Sequence, residues 1–562
     1  VEKIWVNQYD TGVPAEIQLG ANESLVTYLE ETCKKYADLP AFSNLGYTLS
    51  YKELDRKTYA FAAYLQSLGF QKGDRFAIML PNLLQYVIAM MGALRAGCVI
   101  VNVNPLYTPR ELGHQMKDSG AKGILILANF ANTLEEALPG LPDLKHIMLT
   151  EIGDALPFLK ATLVNFVIRS IKKMLPANTL QNTLSFRNAL KTGSSLKFKK
   201  PMIVGDDLAY LQYTGGTTGV AKGAMLTHHN ILANTRQIFA MVSPFFGTGR
   251  EEKMLSALPF YHIFALTVNV WGFISAGISN HLITNPRDVK GFIKEIKNLK
   301  FTITTGVNTL FNALVNDPDF AKVDFSHLRY VIAGGMALQG PVAERWEKIT
   351  GTFITQGYGL TETSPVTSVN PVTLKTFNGS IGLPLPSTEM GIKDDEGKFL
   401  GINEIGEICI RGPQVMKGYW QNPEATADLV DSEGWLRTGD IGKMDEKGFF
   451  FLVDRKKNMI EVSGFNVYPN EIEDVLMEMP GVKEVAVIGI PDARSSERVK
   501  AYVVKSDPAI TAEQVIAFCH KKLTRYKVPK EVEFRDDLPK SNVGKILHRL
   551  LREEYDRQQA NK

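Results

Sequence analysis

The chain has 562 residues, 44% of them hydrophobic and 22% charged, with a formal net charge of +3. That length exceeds one ordinary core, so it predicts at least two domains of a soluble globular protein. Near-neutral charge excludes a global field directed at nucleic acid, and any basic feature must be local.

The N-terminal VEKIWVNQYDTGVPAE lacks an apolar run of signal-peptide length, and no stretch is apolar for long enough to span a bilayer. Both predict a protein that is neither secreted nor integral to a membrane. In YKELDRKTYAFAAYLQSLG (51–69), Leu54, Tyr59, Phe61, Ala62 and Leu65 recur near helical spacing and Gly69 suits a C-cap. DRFAIML then reads as a strand, LLQYVIAMMGALRAG as a helix and CVIVNVNP as a buried strand. The same rhythm returns at KGILILAN, HLITN, FTITTG and RYVIAGG, which predicts layered parallel α/β sheets. Within 156–175, Leu159, Leu163, Phe166, Val167, Ile171 and Met174 share one helical face, and Lys160, Arg169, Lys172 and Lys173 lie mostly off it. Two readings stay open for it, a helix packed on its own domain or an amphipathic helix resting on an anionic membrane surface. After about residue 385, short strands separated by DDEG, NEIGE, DEKG and SEGW predict a small turn-rich β region. From VDRKKNMIEVSG onward, NEIEDVLMEM (470–479), EVAVIGI and TAEQVIAFCHKKLTRY (511–526) form an α+β pattern. The boundary falls at Asp454–Lys457, giving domains of 1–454 and 455–562. The four cysteines (Cys33, Cys98, Cys409, Cys519) are widely spaced, which excludes a disulfide framework and suits buried, reduced thiols in a cytoplasmic protein.

The densest chemical signal is YTGGTTGVAKGAMLTH (213–228). A Walker loop needs G-x-x-x-x-G-K-[ST], but Lys222 is followed by Gly223, so a P-loop kinase or ATPase is excluded. What remains is a run of backbone N–H groups with hydroxyls from Thr214, Thr217, Thr218 and Thr227 and one cation, Lys222. Gly215, Gly216 and Gly219 let backbone approach an anion and form nests, and the lysine adds a mobile positive charge. The loop is read as a phosphate cradle.

This loop resembles the SSGTTGxPKG phosphate loop of the acyl-adenylate-forming superfamily, departing from it at Tyr213-Thr214 and Ala221. AGGM (333–336), QGYGLTE (356–362), TGD (438–440), VDRKK (453–457) and PKSNVGKI (539–546) resemble the family's further motifs, in order. The window EGWLRTGDIGKMDEKGFFFLVDRKK (433–457) resembles the signature of fatty-acyl-CoA synthetases. End to end, the chain is similar to the bacterial long-chain members of that family.

The resemblance implies an α/β fold in which a large N-terminal domain of layered sheets carries a small β-barrel-like part. A smaller, mobile α+β C-terminal domain closes over it. It implies ATP- and magnesium-dependent activation of long-chain fatty acids to acyl-CoA through acyl-AMP, feeding fatty-acid degradation. Medium-chain or aromatic acids, or transfer to a carrier protein, are the alternatives. By the same resemblance Lys222 steadies the outer phosphates, Glu362 with Thr214 holds magnesium, and Thr361 meets the α-phosphate. Gly335, Gln356, Gly357 and Gly359 line the nucleotide, with Tyr358 stacked on adenine. Asp440 takes the ribose hydroxyls and Arg455 reaches ribose or phosphate. Lys545 does the chemistry between acid and α-phosphate, Lys457 is the hinge, and Gly464 leaves room for the pantetheine arm of coenzyme A. His262 in LPFYHIFAL borders the acyl carboxylate, and GVNTLF (306–311) opens the acyl pocket wall. Expected partners are fatty acid, ATP and coenzyme A, with the inner-membrane surface as a further one if 156–175 lies on it. No nucleic acid is expected, and a homodimer stays open.

Overall fold

Apolar β-branched runs pair wherever helices can cover both of their faces, and this chain does so twice. A computed structural model describes residues 2–20, 22–214, 221–246, 251–492, 494–541 and 544–560. Its first sheet runs, in spatial order, Leu184–Ser185, His146–Thr150, Gly123–Leu127, Arg75–Met79, Val99–Asn102, Leu208–Thr214 (β1) and Lys222–Thr227 (β2). Every neighbour pairs in parallel except β1 and β2, which form an antiparallel hairpin. Helix Leu84–Arg95 is buried on every side, as its apolar run from Tyr86 to Leu94 requires, with Gln85 and Arg95 buried at its ends.

The second sheet has nine strands with a parallel centre that includes Ile303–Gly306 and Tyr330–Ala333. Next comes Ile354–Gly359 (β3), which turns back into the antiparallel strand Val366–Val369. The small β region is four antiparallel strands, Glu389–Lys393, Gly406–Arg411, Leu436–Met444 (β4) and Phe450–Arg455 (β5). The last unit has five strands, with Ser496–Lys505 at its centre, paired with Ile460–Val462, Val482–Asp492 and Glu531–Arg535. They carry their own core, which includes Ile472, Val487 and Val503.

The helix expected over 51–69 spans Tyr51–Ser67, started by Ser50 and Glu53 in a reciprocal capping box. Leu54, Phe61, Ala62 and Leu65 are buried, but Tyr59 falls beside the stripe they share with Thr58 and is exposed, edge-on to Phe198. The helix expected over 511–526 stops at His520. All four cysteines are buried and unpaired.

Helix Phe158–Phe166 (α1) continues as a π-helical turn over Val167–Ile171. Of its residues only Ala161 is buried. The face held against the protein carries the small apolar Ala161 and Val164 on the core, with polar ties around them: Lys160 Nζ donates to the Gly46 carbonyl at 2.9 Å, Asn165 Nδ2 to Asp154 at 3.0 Å and Arg169 Nε to Glu151 at 2.8 Å. Phe158, Leu159, Leu163, Phe166, Ile171 and Met174 face outward. That outward face therefore is not what mounts the helix on its own domain. Two helices of the last unit are Pro469–Met477 (α2) and His548–Ala560 (α3).

Candidate active site

The β1–β2 hairpin fixes the two ends of the phosphate loop, since Thr214 and Lys222 are partners in register. Gly215, Gly216, Thr217, Thr218 and Gly219 lie outside the described residues. Thr227 does not belong to the cradle. It is buried at the end of β2, where its hydroxyl accepts the Asn230 N–H at 3.1 Å and caps helix His228–Val242, so it has no freedom to meet a phosphate.

Residues 416–420 extend the hairpin as a third strand, with Met225 N–H to Gly418 at 2.8 Å, Lys417 N–H to Met225 at 3.0 Å and Trp420 N–H to Gly223 at 2.8 Å. This places Tyr419 under Lys222, whose Nζ lies 5.1 Å from the ring centroid. The Tyr419 hydroxyl donates to Glu362 Oε1 at 2.6 Å, and the Glu362 carbonyl accepts the Met416 N–H at 2.8 Å. Cation, phenol and carboxylate thus stand in one row. Tyr419 is a site residue that sequence reasoning missed, for its MKGYW context matches none of the recognised motifs. Thr361 and Glu362 sit in a 3₁₀ turn after β3. Gly359 is required just before it, because a Cβ there would run into the Pro365 carbonyl.

Asp440 is 1% exposed on β4, in register with Arg455 of β5. The Tyr358 hydroxyl donates to its Oδ2 at 2.5 Å, and Arg455 Nε lies 2.9 Å from Oδ1 without the alignment of a hydrogen bond. A buried carboxylate oxygen lacking an aligned donor is expensive, and a ribose hydroxyl would satisfy it. Tyr358 is tied by its hydroxyl to this carboxylate, which fixes the ring beside Asp440. Gln356, on β3 with Tyr358, is buried with Oε1 unpartnered among the described residues, a second such acceptor. Gly335 has φ +77°, a left-handed conformation that favours glycine, and Gly357 lies close under the Ser368 carbonyl.

Lys545 reaches this cleft from the far end of the chain. Its N–H bonds Ser541 Oγ at 3.0 Å, its carbonyl accepts the Ser541 N–H at 2.7 Å, and the Gly544 N–H bonds the Ser541 carbonyl at 2.9 Å. Gly544 has φ +83° and leans on Thr309, so the turn seats directly on the GVNTLF segment. Burial lowers the Lys545 pKa to about 8, with Arg455 and Lys457 pushing the same way and Asp440 and Asp454 opposing. His262 is near enough for Lys545 to repel its charged form, and burial first and Lys545 second lower its pKa to about 4. Its Nδ1 accepts the Phe264 N–H at 3.3 Å, so the neutral ring carries its proton on Nε2. The space beside Gly306 is filled by the Phe311 ring, which makes that glycine a packing position.

Thr214, Lys222, Thr361, Glu362, Tyr358, Asp440, Arg455, Lys545 and His262 line one region. Gly464 does not join them: it sits with φ +81° in the exposed hairpin between Ile460–Val462 and Phe465–Val467. Among the described residues no three His, Cys, Asp or Glu side chains form a metal cage. A lone carboxylate beside a phosphate loop is the donor set for a magnesium that takes most of its ligands from phosphate and water.

A model of AMP-binding enzymes matches residues 29–420, and one of the AMP-binding enzyme C-terminal domain matches residues 471–545. A long-chain-fatty-acid–CoA ligase of Escherichia coli O157:H7 is 55% identical over 99% of this chain and 98% of its own. One of Haemophilus influenzae is 50% identical over 99% of both. The structure of ATP-bound MatB from Rhodopseudomonas palustris superposes with a TM-score of 0.80 at 29% identity, covering 94% of this chain and 99% of that one. The chain belongs to the AMP-binding enzyme family.

Proposed function

We propose that the protein is a long-chain fatty acid:CoA ligase that forms AMP. The full-length identity of 55% to a relative named for that reaction carries the reading, and the cleft supplies the chemistry. The acid attacks the α-phosphate of ATP and expels pyrophosphate, and the acyl-AMP then passes its acyl group to the thiol of coenzyme A. Two anions must meet in the first step, so positive charge and positioning dominate the catalysis. Lys222 and the loop hold the outer phosphates, which leave together. Thr361 offers its hydroxyl to the α-phosphate. The Lys545 ammonium bridges the α-phosphate and the acid carboxylate, where charge develops. His262, neutral with its proton on Nε2, donates to the acid carboxylate. Asp440 and Arg455 hold the ribose, with Tyr358 against the adenine and Gly335, Gln356, Gly357 and Gly359 lining it. Glu362, braced by Tyr419, and Thr214 would hold magnesium, which when bound neutralises part of the triphosphate charge.

The division into 1–454 and 455–562 serves the second step. Rotation about Lys457 withdraws Lys545 and brings Gly464 from its exposed hairpin to the thiol route. Lys545→Ala should abolish adenylation and spare thioester formation from supplied acyl-adenylate. Pyrophosphate release is measured with acids from butyrate to stearate and with coumarate, with and without coenzyme A. Release that rises with chain length is expected, and release with coumarate alone would move the protein to aromatic acids.

The outward face of α1 adds a lipid surface as partner. Its apolar side chains are rimmed by Lys172 and Lys173, and Arg187 stands over the Phe158 ring at 5.1 Å, a charge pattern that suits anionic headgroups. Among the described residues no helix is long and apolar enough to cross a membrane, so the contact is peripheral.

A further inference from the structure

Two buried carboxylates that the mechanism leaves unused join the ribose strand to the lysine turn. Asp454, 1% exposed, precedes Arg455 on β5. One of its oxygens accepts the Arg455 N–H at 2.6 Å, and the other accepts the N–H of Asn470, in the first turn of α2, at 2.9 Å. Asn470 answers with a bond from Nδ2 to the Val453 carbonyl at 3.3 Å. A carboxylate there satisfies an orphan donor of the helix and faces the positive end of its dipole. Three residues along α2, Glu473 is 7% exposed and accepts the Val487 N–H at 2.8 Å. The same oxygen lies 2.7 Å from Nε2 of His548, the first residue of α3 and three residues beyond Lys545. Burial disfavours a charged imidazole, but Glu473 and Asp454 outweigh it, against Lys545, and raise the His548 pKa. The pair is therefore a charge-assisted bond. Helix α2 acts as a bar tied at one point to β5 and at another to the segment carrying the lysine.

The two ties differ in one respect. Asp454 lies before Lys457 and Asn470 after it, so rotation about Lys457 separates them. Glu473 and His548 both lie after it and move as one.

We propose that Asp454, Glu473 and His548 are positioning residues that, through α2, set Lys545 against Asp440 and Arg455 for adenylation, and that transfer to the thiol does not need them. This rests on the reading that Lys545 serves the first half-reaction. Asp454 latches the closed arrangement, and the Glu473–His548 pair sets the lysine within its own unit.

The experiment uses full-length Asp454→Asn, His548→Ala and His548→Arg, with Lys545→Ala as reference. Pyrophosphate release without coenzyme A and thioester formation from supplied acyl-adenylate are measured separately. Misplacement by about 1 Å lowers rate by up to about a hundredfold, so Asp454→Asn and His548→Ala should each lose at least about tenfold in adenylation and less than about twofold in transfer. His548→Arg, which keeps the charge, should recover most of the loss. Should His548→Ala fail to fold, the isosteric Asp454→Asn carries the test. Equal loss in both half-reactions, or His548→Arg no better than His548→Ala, overturns the proposal. Adenylation lost in Lys545→Ala but untouched in the other variants overturns the strut alone. Adenylation surviving in Lys545→Ala overturns the reading of the lysine, and the strut with it.

Discussion

Replacing Leu159 and Leu163 by alanine measures what the outward face of α1 does. Leu159 is 82% exposed and Leu163 62%, so neither supports the fold, and the variant should unfold within about 0.5 kcal/mol of the parent. Each change removes three carbons at about 0.8 kcal/mol each, or about 2.4 kcal/mol for full transfer out of water. Scaled by the exposed fractions, the two contribute about 2 and about 1.5 kcal/mol to seating in lipid. Their sum corresponds to roughly a 300-fold loss in vesicle partitioning, and shallow seating at the headgroup boundary reduces this to no less than about tenfold. The assay is co-sedimentation with phosphatidylglycerol–phosphatidylcholine vesicles across a salt series, alongside turnover of a short soluble acid as a control. Partitioning that the double variant leaves unchanged would refute the reasoning, because the apolar face would then contribute nothing to lipid contact.

Tyr419→Phe removes the hydroxyl that braces Glu362 and should raise the magnesium concentration giving half-maximal pyrophosphate release by about tenfold, as loss of a ligand's supporting bond does. Unaltered magnesium dependence would count against Glu362 as the ligand. The kcat/KM for adenylation should fall as pH rises through about 8, because Lys545, its pKa lowered there by burial, loses the proton that makes it a cation. Thioester formation from supplied acyl-adenylate should lack that limb, and a limb shared by both half-reactions would remove the assignment to Lys545. Asp440→Asn exchanges an ionised acceptor for an amide beside Tyr358 and Arg455. It should raise the KM for ATP by about tenfold or more, on the scale of a charge-assisted bond, with the KM for the acid unchanged.

The residues proposed to act on phosphate or ribose stand out in the sequence because their spacing is local. Gly439 before Asp440 and Gly544 before Lys545, both with positive φ, each announce a conformation in a few consecutive letters. Tyr419 was not legible, since its meaning arises only when residues 416–420 pair with β2, some two hundred positions away in sequence. His548 likewise reads as one more polar residue of a basic tail until Glu473 is seen against it. Helical periodicity identified the apolar stripe of 156–175 correctly, but periodicity says nothing about which side of a helix faces the protein. There Ala161 and Val164 on the core, with ties from Lys160, Asn165 and Arg169, decide it. Tyr59 shows a finer limit of the same pattern, for one step of a helix is enough to move a side chain off the stripe. Thr227 was miscounted because a hydroxyl at a strand end serves the next helix before any ligand.

The burial of every cysteine has a consequence for an enzyme that handles a free thiol as substrate. Desolvation pushes the thiols of Cys33 and Cys409 up to about 12 and that of Cys519 up to about 11, and raises Cys98 as well. Thiolate, the species that attacks a disulfide, is then scarce at each position, and none is open to an approaching sulfur. Oxidised coenzyme A therefore finds no partner for mixed-disulfide exchange on this chain. The protein keeps its redox chemistry silent beside a reactive sulfur that must be used only once, as a nucleophile toward the acyl group.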